Sequence, residues 1–200
     1  MRSPLAMFHD IRAAGIAFGL RPAGHEDAEF IVALRALSKR TRFIHRGATT
    51  VDAQRSWTDA YLARPGDYYF LVHRLADGGR EGTLGIYDVD AAGGTAEWGR
   101  WVLAADSLAA IESVALMYRV AFDVLHLSSV YSRTLAGNES VVSFHDSCGI
   151  PREPTMRTLN VDGVACAAIE HRLARADWPD LAQRLEPMIR RIARRAGASP

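Results

Sequence analysis

The spacing of apolar and polar positions along the chain predicts strands that alternate with helices. Strands are predicted at residues 16–21, 67–75, 82–90, 95–103, 128–135, 156–161 and 164–174. Helices are predicted at residues 25–38, 51–64, 108–125, 139–148 and 180–196. The order β-α-α-β-β-β-α-β-α-β-β, followed by one more helix, predicts a single α/β (α+β) domain with a mixed sheet.

The composition fits a soluble globular protein. The chain has 200 residues, of which 48% are hydrophobic and 24% charged, enough for one domain with a real core. A net charge of +1 provides no general attraction to nucleic acid or to an anionic membrane, and we expect neither as a partner. The two cysteines, Cys148 and Cys166, form no disulfide framework, which favours a reduced, cytoplasmic location. Residues 1–15 contain no signal-peptide or membrane-spanning stretch.

The turn after the strand at residues 95–103 predicts an anion site. Either Asp106 or Ser107 is a natural N-cap for the apolar helix that follows. The first amides of a helix have no partner inside it, and they favour negative charge. The backbone at residues 107–110 is therefore a candidate phosphate site. The alternative interpretation is an ordinary capped helix.

The segment at residues 138–150 carries a family resemblance. Asn138-Glu-Ser-Val-Val-Ser-Phe-His-Asp-Ser-Cys-Gly-Ile150 resembles the Asn-x-x-Ala-x-x-x-Tyr-x-x-x-Gly-Phe signature of the GCN5-related N-acetyltransferases (GNAT). The order of elements is similar to the ribosomal-protein-alanine and sugar-nucleotide branches of that family. The resemblance covers residues 16–178, which we expect to form the acetyltransferase domain, with residues 1–15 as a leader and residues 179–200 as an amphipathic helix and tail.

The resemblance implies a mostly antiparallel central sheet with helices on both faces, and acetyl-CoA as the cofactor. The residues that it implies for cofactor binding are Trp101, Val102, Leu103, Ser107, Leu108, Ala109, Ala110 and Asn138. The chain departs from the family at residues 105–110, where Ala-Asp-Ser-Leu-Ala-Ala replaces a glycine-rich loop that begins with a basic or amide residue. Because glycine allows close approach of phosphate to the backbone, a fold that has lost its cofactor is the alternative.

Two side chains are candidates for the chemistry of acetyl transfer to an amine. Glu97 lies on the strand that, in the family, runs beside the acetyl group, and a half-buried carboxylate there has the raised pKa that suits a general base. The alternative is a strand glutamate paired with Arg100 or with another arginine. His145 stands where the family has the tyrosine that protonates the leaving thiolate. Its alternative is a partly exposed histidine on a helix.

The acceptor is expected to bind near the first two helices. The resemblance implies Phe43, His45, Arg46 and Trp57 there, with Asp88 as a further candidate on a neighbouring strand. The alternative for residues 39–50 is a solvated basic loop with two packed aromatic residues. We expect an acetyl-CoA-dependent N-acetyltransferase for a small primary amine, most plausibly an amino sugar carried on a nucleotide. The alternatives are a peptide N-terminal acetyltransferase and a non-catalytic binding module. No metal site is expected, and a homodimer stays open.

Overall fold

The computed structural model describes residues 9–37 and 47–198. In this part of the chain the strands are Ala13–Ala14 (β1), Phe18–Pro22 (β2), Tyr68–Arg74 (β3), Arg80–Asp90 (β4), Thr95–Leu103 (β5), Ser129–Leu135 (β6), Arg157–Val161 (β7) and Val164–Ala174 (β8). The helices are Ala28–Leu37 (α1), Val51–Leu62 (α2), Ala110–Arg119 (α3), Glu139–Cys148 (α4) and Trp178–Arg195 (α5). A π-helical segment, Val120–Val124, extends α3.

All the strands belong to one sheet, in the order β1-β2-β3-β4-β5-β6-β8-β7. Every neighbouring pair is antiparallel except β5 and β6, which are parallel. The chain reaches β6 from β5 through α3, because a parallel pair needs a long crossover. The predicted mixed, mostly antiparallel sheet is confirmed.

Helices cover both faces of the sheet, as predicted. On one face, α3 and α5 pack over the main core, whose largest fully buried side chains include Trp98, Tyr118 and Phe122. On the other face, α1 and α2 enclose a smaller apolar cluster around Tyr61 and Tyr69. The wide polar face of α5 points away from the core, whereas its narrow apolar side is buried. A fully buried leucine on that side stabilises the fold by about 2 kcal/mol.

The start of α3 differs from the prediction. Its N-cap is Ala109, which offers no capping side chain, and neither Asp106 nor Ser107 has that position. Ser107 instead forms a turn of its own, in which its amide donates to the carbonyl of Ala104 at 3.1 Å and its Oγ accepts from the amide of Ala109 at 3.2 Å. Leu108 therefore lies outside the helix and is 40% exposed.

The ends of α4 lie where the sequence predicts them. Asn138 is the N-cap residue, and its carbonyl accepts from the amide of Val142 at 3.1 Å. Its side chain, however, makes no capping hydrogen bond, so that part of the prediction is wrong. Gly149 ends the helix in the left-handed region at φ 75°, a conformation that glycine adopts without a steric penalty.

Candidate active site

The sheet opens between β5 and β6. These strands pair only from Thr95–Glu97 to the facing residues 129–131. Beyond that point β5 pairs only with β4, and β6 pairs only with β8. Because a strand edge carries backbone N–H and C=O groups that need partners, the opening can receive an extended molecule with amide groups of its own.

A β-bulge lies on β5 beside this opening. The register with β4 slips between the pairs Gly85–Gly99 and Thr83–Val102, and Arg100 has φ 51°. A bulge bends a strand and redirects its side chains. Here it brings the rings of Trp98 and Trp101 together, with their centroids 6.0 Å apart.

Trp101 links β5 to the two helices that follow it. Its indole Nε1 donates to Ser113 Oγ on α3 at 3.2 Å, and its ring centroid lies 4.9 Å from that of Phe144 on α4. Trp101, one of the residues predicted to contact the cofactor, thus lies where β5, α3 and α4 meet. Val102 and Leu103 continue β5 along the opening and pair with β4 on the other side.

Glu97 is the last residue of β5 that pairs with β6, and it therefore lies at the apex of the opening. Its side chain is 12% exposed, accepts from Tyr87 Oη at 3.3 Å and forms an ion pair with Arg133 Nη1 at 3.1 Å. Desolvation raises the pKa of Glu97 in spite of the Arg133 charge, which acts in the opposite direction. The alternative interpretation, a strand glutamate paired with Arg100 or another arginine, is met to the extent that Arg133 is such a partner. A general-base role stays a prediction.

His145 is buried, so the alternative interpretation of a partly exposed helix histidine is wrong. The side chain is 1% exposed, and its ring centroid lies 5.3 Å from that of Trp98 and 4.9 Å from that of His171. Within the described residues, its Nδ1 has no hydrogen-bond partner. Burial, helped by the neighbouring His171, lowers the pKa of His145 to about 3. With that pKa the ring is neutral near pH 7, and a role of His145 in protonating the leaving thiolate stays a prediction.

The residues around the opening fit acetyl-CoA. Helix α3 begins with Ala110, and its first amides have no acceptor inside the helix. The one acidic side chain in that first turn, Glu112, is buried and accepts from the backbone amides of Ile16 and Ala17. The side chain of Asn138, at the start of α4, makes no capping bond, and its Oδ1 accepts from Ser140 Oγ at 3.3 Å. Together with the unpaired edge of β5 and the buried His145, these groups could hold a phosphate, an amide arm and a thioester.

Of the predicted acceptor residues, the structure describes Trp57 and Asp88. Phe43, His45 and Arg46 lie outside the described residues. Trp57 stacks on Tyr61 with centroids 5.5 Å apart. Asp88 is exposed, has φ 51°, and lines a cleft of about 440 Å³ with Ala63, Arg64, Pro65, Gly66, Asp67, Val89 and Arg100.

Sequence reasoning did not find the charged pair at the mouth of this cleft. Arg100 forms a bidentate ion pair with the buried Asp67, whose second contact is 3.0 Å long. The guanidinium also lies over the rings of Tyr87 at 4.4 Å and Trp57 at 5.5 Å. The two partners are 33 positions apart, so no local pattern links them. An arginine inside an aromatic strand was the only available signal.

Other kinds of site have no support in residues 9–37 and 47–198. No group of three His, Cys, Asp or Glu side chains there could hold a metal ion. None of the helices in these two ranges is long and apolar enough to cross a membrane.

The sheet thus opens at its parallel pair of strands, with the N-terminus of α3 and the carboxylate of Glu97 beside the opening. A family model, described as an acetyltransferase (GNAT) domain, matches residues 18–150. The chain therefore belongs to the GCN5-related N-acetyltransferase family and is an acyltransferase. No protein of curated function matches the sequence.

Solved structures show the same fold. A GCN5-related N-acetyltransferase from Brucella melitensis has a TM-score of 0.79 at 19% identity, over 90% of this chain and 86% of that one. FdhC, a nucleotide-linked sugar GNAT, has a TM-score of 0.69 at 25% identity, over 86% of this chain and 94% of its own. A mutant of the spermidine N-acetyltransferase from Vibrio cholerae has a TM-score of 0.70 at 15% identity, over 82% and 98%.

Proposed function

We propose that this protein transfers an acetyl group from acetyl-CoA to a small primary amine, and that the amine belongs to a nucleotide-linked amino sugar. The single observation that carries the proposal is the position of Glu97. Its carboxylate, with a raised pKa, lies at the apex of the opening between β5 and β6, where a thioester held along β5 would end.

The cofactor, when bound, supplies the acetyl group as an activated thioester. The α3 amides from Ala110 onward would hold its pyrophosphate, and the edge of β5 from Trp101 to Leu103 would hold its amide arm together with Asn138. These assignments come from the family resemblance, and the geometry of the opening supports them. Because residues 104–109 contain no glycine and no basic side chain, backbone amides carry the phosphate contact alone.

Glu97 would act as the general base. The amine nitrogen gives up a proton as it forms the new bond to the acetyl carbon, and Glu97 accepts that proton directly or through water. Desolvation, which raises the pKa of Glu97, makes it a stronger base than an exposed glutamate. The carbon–sulfur bond breaks, and the thiolate takes up one proton. The neutral His145 has only its ring N–H to offer to that thiolate.

The acceptor class is supported by one structural relative and by the charges of the described residues. The nucleotide-linked sugar GNAT is 25% identical over most of both chains, whereas the spermidine enzyme is 15% identical. Spermidine is a polycation, and arginines line the sheet beside Glu97 on this chain. The chemistry therefore favours an anionic acceptor. A cytoplasmic location goes with this proposal, since both cysteines are free thiols.

Calorimetry with acetyl-CoA on the purified protein tests the cofactor first. We expect micromolar binding. The second step follows release of free thiol from acetyl-CoA in the presence of a nucleotide-linked amino sugar, of spermidine and of a peptide with a free N-terminus. We expect turnover with the first acceptor only. No binding at millimolar acetyl-CoA would overturn the proposal. Turnover of the peptide alone would mean that the acceptor is a peptide N-terminus and not an amino sugar.

A further inference from the structure

Three arginines surround one buried carboxylate on the sheet face that carries Glu97. Glu170 on β8 is fully buried. Its Oε2 accepts from Arg133 Nε at 3.2 Å and from Arg157 Nε at 3.1 Å, and its Oε1 accepts from Arg172 Nη2 at 2.7 Å. Arg133 and Arg172 also contact a second carboxylate each, Glu97 and Glu153, whereas Arg157 pairs with Glu170 alone among the described residues.

Glu170 holds these arginines in fixed positions. Burial alone would raise the pKa of Glu170, but hydrogen bonds from Arg172 and Arg133 lower it below its ordinary value, so the group stays ionised. The ring of Tyr131 lies between two of the guanidinium groups, 4.7 Å from Arg133 Cζ and 4.5 Å from Arg172 Cζ. The cluster is therefore built from a buried charge and a stacked ring, and not from loose surface chains.

The three arginines differ in how many of their guanidinium nitrogens remain available to bind a ligand. Arg172 also donates to Ser129 and lies 3.8 Å from Glu153, and Arg133 also pairs with Glu97. Arg157 has a single contact, from its Nε to Glu170. Both of its terminal nitrogens lack an acceptor within the described residues, and its side chain is 47% exposed. A guanidinium held by Nε presents its outer nitrogens as a fork that matches phosphate or carboxylate.

The cluster is also connected to the proposed base. Arg133 contacts Glu97 at one end and Glu170 at the other. Glu97 and Glu170 lie on β5 and β8, which are separated by β6 alone. Two strand spacings amount to roughly 10 Å, and the Arg157 guanidinium reaches Glu170 from β7, so an amino sugar spans this distance when its amine and its anionic group lie at opposite ends of the ring. A ligand with its amine at Glu97 would thus bring its far end to Arg157.

We propose that Arg157, held by Glu170 beside Arg133, receives an anionic group of the acceptor, a phosphate or a carboxylate, while the amine of the same molecule lies at Glu97. This inference rests on the proposed function, because it assumes an amine at Glu97. It adds the part of the acceptor that is recognised and the residue that recognises it.

Binding of three amine probes, measured by calorimetry without acetyl-CoA and again with CoA, tests the inference. Glucosamine 6-phosphate carries a phosphate and 2-amino-2-deoxyglucuronic acid carries a carboxylate, each across the sugar ring from the amine, and glucosamine carries neither. We expect glucosamine 6-phosphate or the amino uronic acid to bind at least tenfold more tightly than glucosamine, and the stronger of the two identifies the anion. Equal affinity for all three probes would overturn the inference.

Variants then locate the effect. Arg157→Gln should remove the preference for the anionic probe, and Arg157→Lys should keep part of it, because the charge remains but the fork is lost. Arg190→Gln is the matched control, since Arg190 on α5 is 49% exposed and pairs only with Glu186. Glu170 keeps two arginines in each variant at position 157, so the fold should persist. An unchanged preference in Arg157→Gln would refute the assignment.

The outcome is separable from that of the proposed function. Binding of the anionic probe that depends on Arg157, without any acetyl transfer, would retain the anion site and refute the enzyme proposal. Acetyl transfer to glucosamine and glucosamine 6-phosphate at equal kcat/KM would retain the enzyme proposal and refute the anion site.

Discussion

Replacing His145 should make the stability of the protein less sensitive to acid. Burial and His171 lower the pKa of His145 to about 3 from an ordinary value of 6.5, while Asp146 acts in the opposite direction. The unfolded chain therefore takes up a proton near pH 6.5 that the folded chain refuses. A group whose folded pKa is lowered contributes stability above its unfolded pKa, and that stability is lost as the pH falls towards the folded value.

The size of the effect follows from these two values. At pH 5 the unfolded ring is protonated, 1.5 pH units below its pKa, and the folded ring is still neutral. Each unit is worth about 1.4 kcal/mol, so the wild type should lose about 2 kcal/mol of unfolding free energy through His145 between pH 7 and pH 5. A phenylalanine at this position keeps an aromatic ring beside Trp98 and cannot titrate.

Urea unfolding at pH 7 and at pH 5, followed by tryptophan fluorescence, measures the difference. The wild type and His145→Phe share every other titrating group, including His9, whose pKa burial also lowers to about 4. The loss of stability between the two pH values should thus be about 2 kcal/mol smaller in His145→Phe. His145→Gln serves as a second non-titrating variant in case the larger ring disturbs the packing.

Equal losses in the wild type and in both variants would refute the reasoning, because they would mean that the ring is accessible to protons in the folded state. The same burial has a consequence for catalysis. If His145 stays neutral throughout the assay range, its titration should not contribute to the pH profile of kcat. The profiles of the wild type and of His145→Phe should then have the same shape near pH 6.5.

Three further predictions concern the site. Glu97→Gln should lower kcat by about 100-fold or more at unchanged acetyl-CoA affinity. It should also remove the acidic limb of the pH–rate profile, which lies above the ordinary glutamate pKa of 4.5. An unchanged rate would exclude Glu97 as the base. Ala110→Asp should weaken acetyl-CoA binding in calorimetry by about tenfold, because the new charge repels the phosphates, although the helix dipole stabilises the folded variant by about 0.5 kcal/mol. The neutral control Ala110→Asn should bind acetyl-CoA normally. Equal affinities of the two variants would place the phosphate elsewhere. Asp67→Asn should cost about 3 kcal/mol in urea unfolding, because it leaves the Arg100 guanidinium without its buried partner; a cost below about 1 kcal/mol would contradict this account.

Local pattern was sufficient for the order and type of the elements except β1, a two-residue strand within the residues taken as a leader. Period-2 and period-3.6 spacing are properties of neighbouring residues, so the longer strands and helices could be placed before any contact was known. The ends of α4 were also predictable, because the N-cap position of an asparagine and a left-handed glycine are local features, although the asparagine side chain makes no capping bond. The start of α3 was not, since the hydroxyl of Ser107 bonds the amide of Ala109 and closes a turn before the helix begins.

The state of the candidate site was decided by tertiary structure alone. Glu97 was found from its strand, but its ion pair with Arg133 joins residues 36 positions apart, and the cluster around Glu170 joins three separate strands. His145 was placed on its helix, yet Trp98 and His171 bury it and make its ring neutral. Desolvation and charge pairing depend on what surrounds a group in space. The sequence therefore identified Glu97 and His145 as candidates, but their protonation states depend on the groups that surround them in the folded sheet.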